Sequence, residues 1–199
     1  MTREGPDIER VFHLESFRDH LGFERGLSPR TIDAYLREAR RFAAFAASKG
    51  VAEPAGVTYG LLRDHVARLA GEGRAASTVA RSVYALRGYF RFLIVEGAVE
   101  SDPSERLEAP RAGRPLPDVL SVPEIEALIG AADPESRTAR RDEAMLEILY
   151  GCGLRVSALV TLKGRDLDLD EALVRVRGKG GKERFVPVGA AARSAVRRY

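Results

Sequence analysis

Two cations in this sequence have surroundings that suit chemistry. Arg155 follows the helix-breaking glycines of LYGCGLRVSALVTL and opens an otherwise apolar stretch, where an arginine is awkward to bury without an anion. Lys179 stands between glycines in RVRGKGGKERFVPVG, and with Lys182 it places two of the chain's four lysines in one turn. Gly178, Gly180 and Gly181 permit tight backbone angles and a close approach to a partner. A nucleotide-binding P-loop is excluded. That motif needs Ser or Thr after its lysine and a helix beyond, whereas Glu183 follows Lys182 and a strand pattern comes next. Two plainer readings stay open: an ion pair of Arg155 with Asp142 or Asp166, and a glycine-rich hairpin whose charges only face water.

The elements that must position these residues fall into two sets. In the first half, IERVFHLESFRDHL predicts an amphipathic helix from about Ile8. Ser28 as N-cap and Pro29 at the first helical position open a second helix that closes at Gly50. Thr58 caps a third, and a fourth starts near Ser77, with Val79, Val83, Leu86, Phe90 and Leu93 on one narrow arc. Arg74, Arg81, Arg87 and Arg91 fall outside that arc and predict an exposed basic face. Four prolines between Ser101 and Asp118 interrupt the pattern and predict a linker, dividing a domain at 1–105 from one at 119–199 with the connection at 106–118.

In the second half, Ser121 or its neighbour caps a short helix. Another runs through RDEAMLEILYGCG to Gly151 or Gly153, and a third continues from Leu154 to about Lys163. The period then changes to two: ALVRVRG and KERFVPVG flank the glycine turn as a hairpin, and DLDLDEA adds an edge strand.

Composition bounds the function. The 199 residues hold 45% hydrophobic and 31% charged side chains, and no run reaches the ~18 apolar residues of a membrane span. No export signal follows Met1, which predicts a cytoplasmic protein. Cys152 is the single cysteine and excludes an internal disulfide. Net charge is only +3, yet from Ala172 to Tyr199 eight basic residues face one acid, Glu183. With the acid-free run Arg74 to Arg91, this predicts a phosphate-facing surface.

The stretch from Leu149 to Gly189 resembles the first catalytic box and lysine hairpin of the tyrosine site-specific recombinases, and within them the Xer branch. The 24 residues from Arg155 to Lys179 match that branch without insertion. LSPRTIDAYLREARRF and DPSERLEAPR are similar to the amino-terminal core-binding domain and its exit, and LPDVLSVPEIEALI to the entry of the catalytic domain. The resemblance implies a mainly α protein: a four-helix, SAM-like core-binding domain, then the first part of a mixed α+β catalytic domain with a small three-stranded antiparallel sheet. It implies cutting and rejoining of DNA strands through a 3′-phosphotyrosyl link, of the chromosome-dimer-resolution type. Arg155 would clamp the transferring phosphate and Lys179 would protonate the leaving 5′-oxygen. Lys182 and Arg184, with Arg81 and Arg87 of the first domain, would hold backbone phosphates. The partners implied are a double-stranded recombination site, companion recombinase subunits in a tetrameric synapse, and a DNA translocase. The resemblance calls for no cofactor and no metal.

Two departures qualify it. Ala158 stands where the family carries an acid three positions after the first arginine. The second arginine box and the nucleophilic tyrosine lie, in relatives, beyond residue 199. His13, His20 and His65 all fall in the first domain, and Tyr199 matches a packing position of an early catalytic-domain helix. The expectation is therefore a recombinase fragment without strand cleavage of its own. Alternatives are a phage or mobile-element integrase, or a DNA-binding module without chemistry.

Overall fold

A computed structural model describes residues 7–111, 113, 116–131, 136–178 and 181–199. The chain forms two compact units, Met1–Pro115 and Leu116–Tyr199. No helix among the described residues is long and apolar enough to cross a membrane.

The first unit is helical. The single helix expected from Ile8 is instead broken into α1 (Ile8–Val11) and α2 (Leu14–Asp19), followed by a π-helical turn at His20–Glu24. The break is at His13, whose φ of 51° is left-handed. It lets Phe12, Leu14 and Phe17 all point inward, which an unbroken helix does not allow at that spacing. α3 (Pro29–Ser48) starts as the sequence predicts, with the Ser28 hydroxyl accepting from the Thr31 N–H. Thr58 caps α4 (Tyr59–Gly71) in the same way, accepting from Leu61. α5 (Ala76–Val95) is the central element. Beyond the predicted arc it also buries Ser82, Ala85, Tyr89 and Phe92. α3 crosses α5 closely at Gly88, where an added Cβ would lie 3.2 Å from the Tyr35 ring. The buried Ser82 hydroxyl donates to Glu38 at 2.7 Å, and Arg41 donates to both oxygens of the same carboxylate, so this polar group inside the unit is satisfied.

The start of the proline-rich stretch packs onto the first unit. Leu107 is 2% exposed and joins the helical core, because its burial removes an apolar side chain from water that a free linker would leave exposed.

The second unit opens with α6 (Val122–Gly130), where Ser121 donates through its backbone and hydroxyl to Glu124. α7 (Ala139–Cys152) ends at Gly153, whose φ of 58° is the left-handed C-cap geometry. No atom lies within 4 Å of a Cβ added there, so Gly153→Ala is expected to cost about 1 kcal/mol through the backbone alone, as a urea titration would read. α8 (Val156–Leu159) is a single turn, shorter than predicted. It stops where the Thr161 hydroxyl takes the carbonyls of Ser157 and Ala158. β1 (Leu167–Asp168), β2 (Leu173–Arg177) and β3 (Glu183–Pro187) form an antiparallel sheet in that order. α9 (Ala190–Arg198) packs on α7. Val174, Val176 and Val188 meet Ile148, Leu154 and Leu159 in the core.

Candidate active site

The hairpin of β2 and β3 sorts its side chains by the alternation of a strand. Val174 and Val176 point into the core, and Arg175 and Arg177 point away from it. Arg177 pairs in register with Glu183 across the ladder, and Val176 pairs with Arg184. The turn is closed by two backbone bonds, Gly178 N–H to Lys182 O at 2.7 Å and Gly181 N–H to Gly178 O at 3.2 Å. Gly181 has a φ of 75°, which favours a residue without a side chain. Lys179, the expected general acid, lies outside the described residues, as does Gly180.

Arg155 is set by what precedes it. Gly153 turns the chain, Leu154 anchors it in the core at 8% exposed, and Arg155 occupies the N-cap position of α8 in extended geometry. Its carbonyl accepts from Ala158 and Leu159 and starts the turn, while its side chain is left at the surface, which avoids burying the charge among its apolar neighbours. Both carboxylates that could have paired with it are engaged elsewhere. Asp166 accepts from Arg175 at 2.7 and 3.2 Å, and Asp142 accepts from Arg141 and Thr138. Each partner holds its carboxyl below the usual carboxylate range, mainly through the arginine hydrogen bond. Among the described residues, no acid engages Arg155.

Arg155, Ser157, Ala158, Arg177, Gly178 and Arg184 line one open hollow of about 370 Å³ over Val176. The Arg184 guanidinium lies above Gly178, 3.8 Å from where a Cβ would sit. Sequence-distant cations therefore meet at the base of the glycine turn. Lys182 is exposed on the same hairpin. This arrangement can grip a phosphate with several charged N–H donors at once.

The first unit treats its arginines unequally. Arg81 and Arg91 are exposed, and Arg74 is drawn to Glu72. Arg87 departs from the expected exposed face: its Nη2 donates to the carbonyls of Leu107 at 2.7 Å and Glu105 at 3.4 Å, fastening the end of the unit. A guanidinium that satisfies otherwise orphaned carbonyls is held against the protein. Sequence reasoning missed Arg175, Arg177 and Asp166 as a cluster. The period-two alternation that puts 175 and 177 on one face was the available signal.

Two family models divide the sequence between them: the Phage integrase family matches residues 118–199, and the Phage integrase N-terminal SAM-like domain matches residues 14–97. The chain belongs to the phage integrase family. Curated relatives of this phage integrase family member include a tyrosine recombinase XerC of Pseudomonas aeruginosa, 42% identical over 92% of the chain and 60% of that protein. A tyrosine recombinase XerD of Listeria monocytogenes is 37% identical over 94% of the chain and 63% of that protein. The chain thus spans somewhat over half the length of the curated relatives it matches. The fold is shared with solved structures of low identity. A lambda integrase dimer bound to a COC′ core site matches with a TM-score of 0.73 at 19% identity, over 93% of this chain and 52% of that one. The Tn1549 transposon integrase in complex with a circular intermediate DNA matches with a TM-score of 0.66 at 15% identity, over 94% and 64%. In this phage integrase family member, Ala158 lies on the wall of the Arg155 hollow, so no carboxylate enters it from that position.

Proposed function

We propose that the chain supplies the DNA-binding unit and the first catalytic cations of a site-specific recombinase of the Xer type, acting on chromosomal DNA in the cytoplasm. The reading is carried by the hollow that Arg155, engaged by no acid among the described residues, lines together with Arg184 and Gly178. In the reaction a tyrosine oxygen attacks a backbone phosphorus. The tyrosine gives up its hydroxyl proton as the new bond to phosphorus forms, the bond from phosphorus to the 5′-oxygen breaks, and that oxygen takes up one proton to become the 5′-hydroxyl, leaving a 3′-phosphotyrosyl link. Arg155 meets the charge that gathers on the nonbridging oxygens. Lys179 delivers the proton, and Lys182, Arg184 and Arg81 hold neighbouring phosphates. The partners are a duplex recombination site, companion subunits in a synapse and a translocase that activates them.

The test is fluorescence anisotropy with a labelled duplex across a salt series. Binding is expected to weaken steeply with salt through counterion release, and Arg155→Ala to weaken it about tenfold at low salt. A nicked suicide substrate incubated with the 199 residues alone is expected to give no covalent adduct. Affinity that ignores salt would sink the DNA reading, and a trapped adduct would overturn the assignment of these residues to the cation half of the site.

A further inference from the structure

The Arg155 hollow has a neighbour. A second hollow of about 210 Å³ shares Ala158, Val176 and Arg177 with it and continues past Thr161 to Lys163, Arg165 and Arg175. Its wall carries those four cations against one carboxylate, Asp166. The space is smaller than the roughly 300–1,000 Å³ that organic ligands occupy, and it suits a compact anion.

We propose that this hollow is a second phosphate subsite, which takes the DNA backbone phosphate beside the one met by Arg155. Lys163 and Arg165 are its exposed donors. Arg175 is its oriented guanidinium: Nε and Nη2 both donate to Asp166 Oδ1, at 3.2 and 2.7 Å. Nη1 lies 3.8 Å from Glu183 Oε2, an ion pair too long for a hydrogen bond, so its N–H groups can still donate to an incoming phosphate in competition with that carboxylate. Asp166 also accepts from the backbone N–H of Lys163 at 3.2 Å, so the carboxylate that orients Arg175 also fixes the chain at Lys163. The wall the hollows share is made of Ala158, Val176 and Arg177, and none of the three opposes an anionic strand passing from one to the other. This is a consequence of alanine at the position where a carboxylate was expected. Charged N–H donors on a fixed guanidinium lose little freedom when a phosphate arrives, which favours a defined contact over a diffuse one.

The inference rests on the DNA-binding reading, and the experiment separates the two. Duplex affinity of the 199-residue chain is followed across a salt series by anisotropy. The double variant Lys163→Gln with Arg165→Gln is expected to bind about tenfold more weakly at low salt. Its slope of log affinity against log salt is expected to be shallower by about 0.9 for each phosphate that is no longer neutralised. Lys163→Arg with Arg165→Lys is expected to keep affinity within about twofold, because charge is retained. Arg137→Gln with Arg140→Gln removes equal charge from exposed residues of the same unit that line neither hollow and lie outside the basic run from Ala172 to Tyr199, and is expected to change affinity less than threefold. If the first double variant binds like this control while Arg155→Ala still weakens binding, the subsite is refuted and the DNA reading stands. If the unaltered chain shows no salt-dependent binding, both fall. Circular dichroism establishes that each variant, altered only at the surface, is folded.

Discussion

Tyr89→Ala is expected to cost the amino-terminal unit about 3–5 kcal/mol, the range for emptying a large aromatic from a core. Tyr89 is fully buried on α5, with its ring 5.2 Å from Phe17 and 5.3 Å from Phe90. Its hydroxyl donates to the Phe12 carbonyl at 2.5 Å, next to the chain reversal at His13. Removing the ring therefore opens a cavity and also orphans a buried carbonyl. A domain of this size holds roughly 5–15 kcal/mol in all, so the variant is close to unfolding. Tyr89→Phe keeps the packing and is expected to lose only about 1–3 kcal/mol. Hydrogen exchange of the α5 amides reads the difference, because the loss should be confined to this unit. Equal protection in Tyr89→Ala and the parent chain would show that the ring is not central to the core.

Acid should destabilise the same unit by about 3 kcal/mol through one side chain, His65. Its ring is completely buried, 5.3 Å from Phe42 and 5.1 Å from Phe45, and neither nitrogen has a partner among the described residues. Burial, with Arg68 and Arg41 adding like charge, pushes its pKa down to about 4. Glu72 opposes them weakly. The unfolded chain takes a proton at its ordinary value near 6.5 while the folded one resists until about 4. The unfolded state therefore binds more protons between those limits, and stability rises with pH across the window and is complete above it. His65→Leu is expected to flatten this dependence and to leave stability at neutral pH unchanged or higher, since an apolar side chain needs no partner there. Urea midpoints at neutral and acid pH, compared between the two chains, measure it. Identical pH slopes would refute the assignment. Carboxylates such as Glu72, held below the usual range by its bond from Arg74, titrate in both chains and cancel in the comparison.

The features legible in the sequence are those decided by neighbours along the chain. Ser28 and Thr58 cap helices because a hydroxyl reaches an N–H three residues on. The two strands and their glycine turn follow from alternation and from backbone angles that only glycine adopts easily. The family resemblance drew on the same local runs. What the tertiary structure alone decided is which partner each charge finds. Arg87 fastens a carbonyl 20 residues away, and Asp166 goes to Arg175, so among the described residues no acid engages Arg155. Likewise, the reversal at His13 answers to Tyr89, whose hydroxyl reaches the Phe12 carbonyl 77 residues back. Periodicity reports which face of an element is apolar. It is silent on which of several equally plausible counter-charges lies within 3 Å, because that distance is set by how separate elements pack.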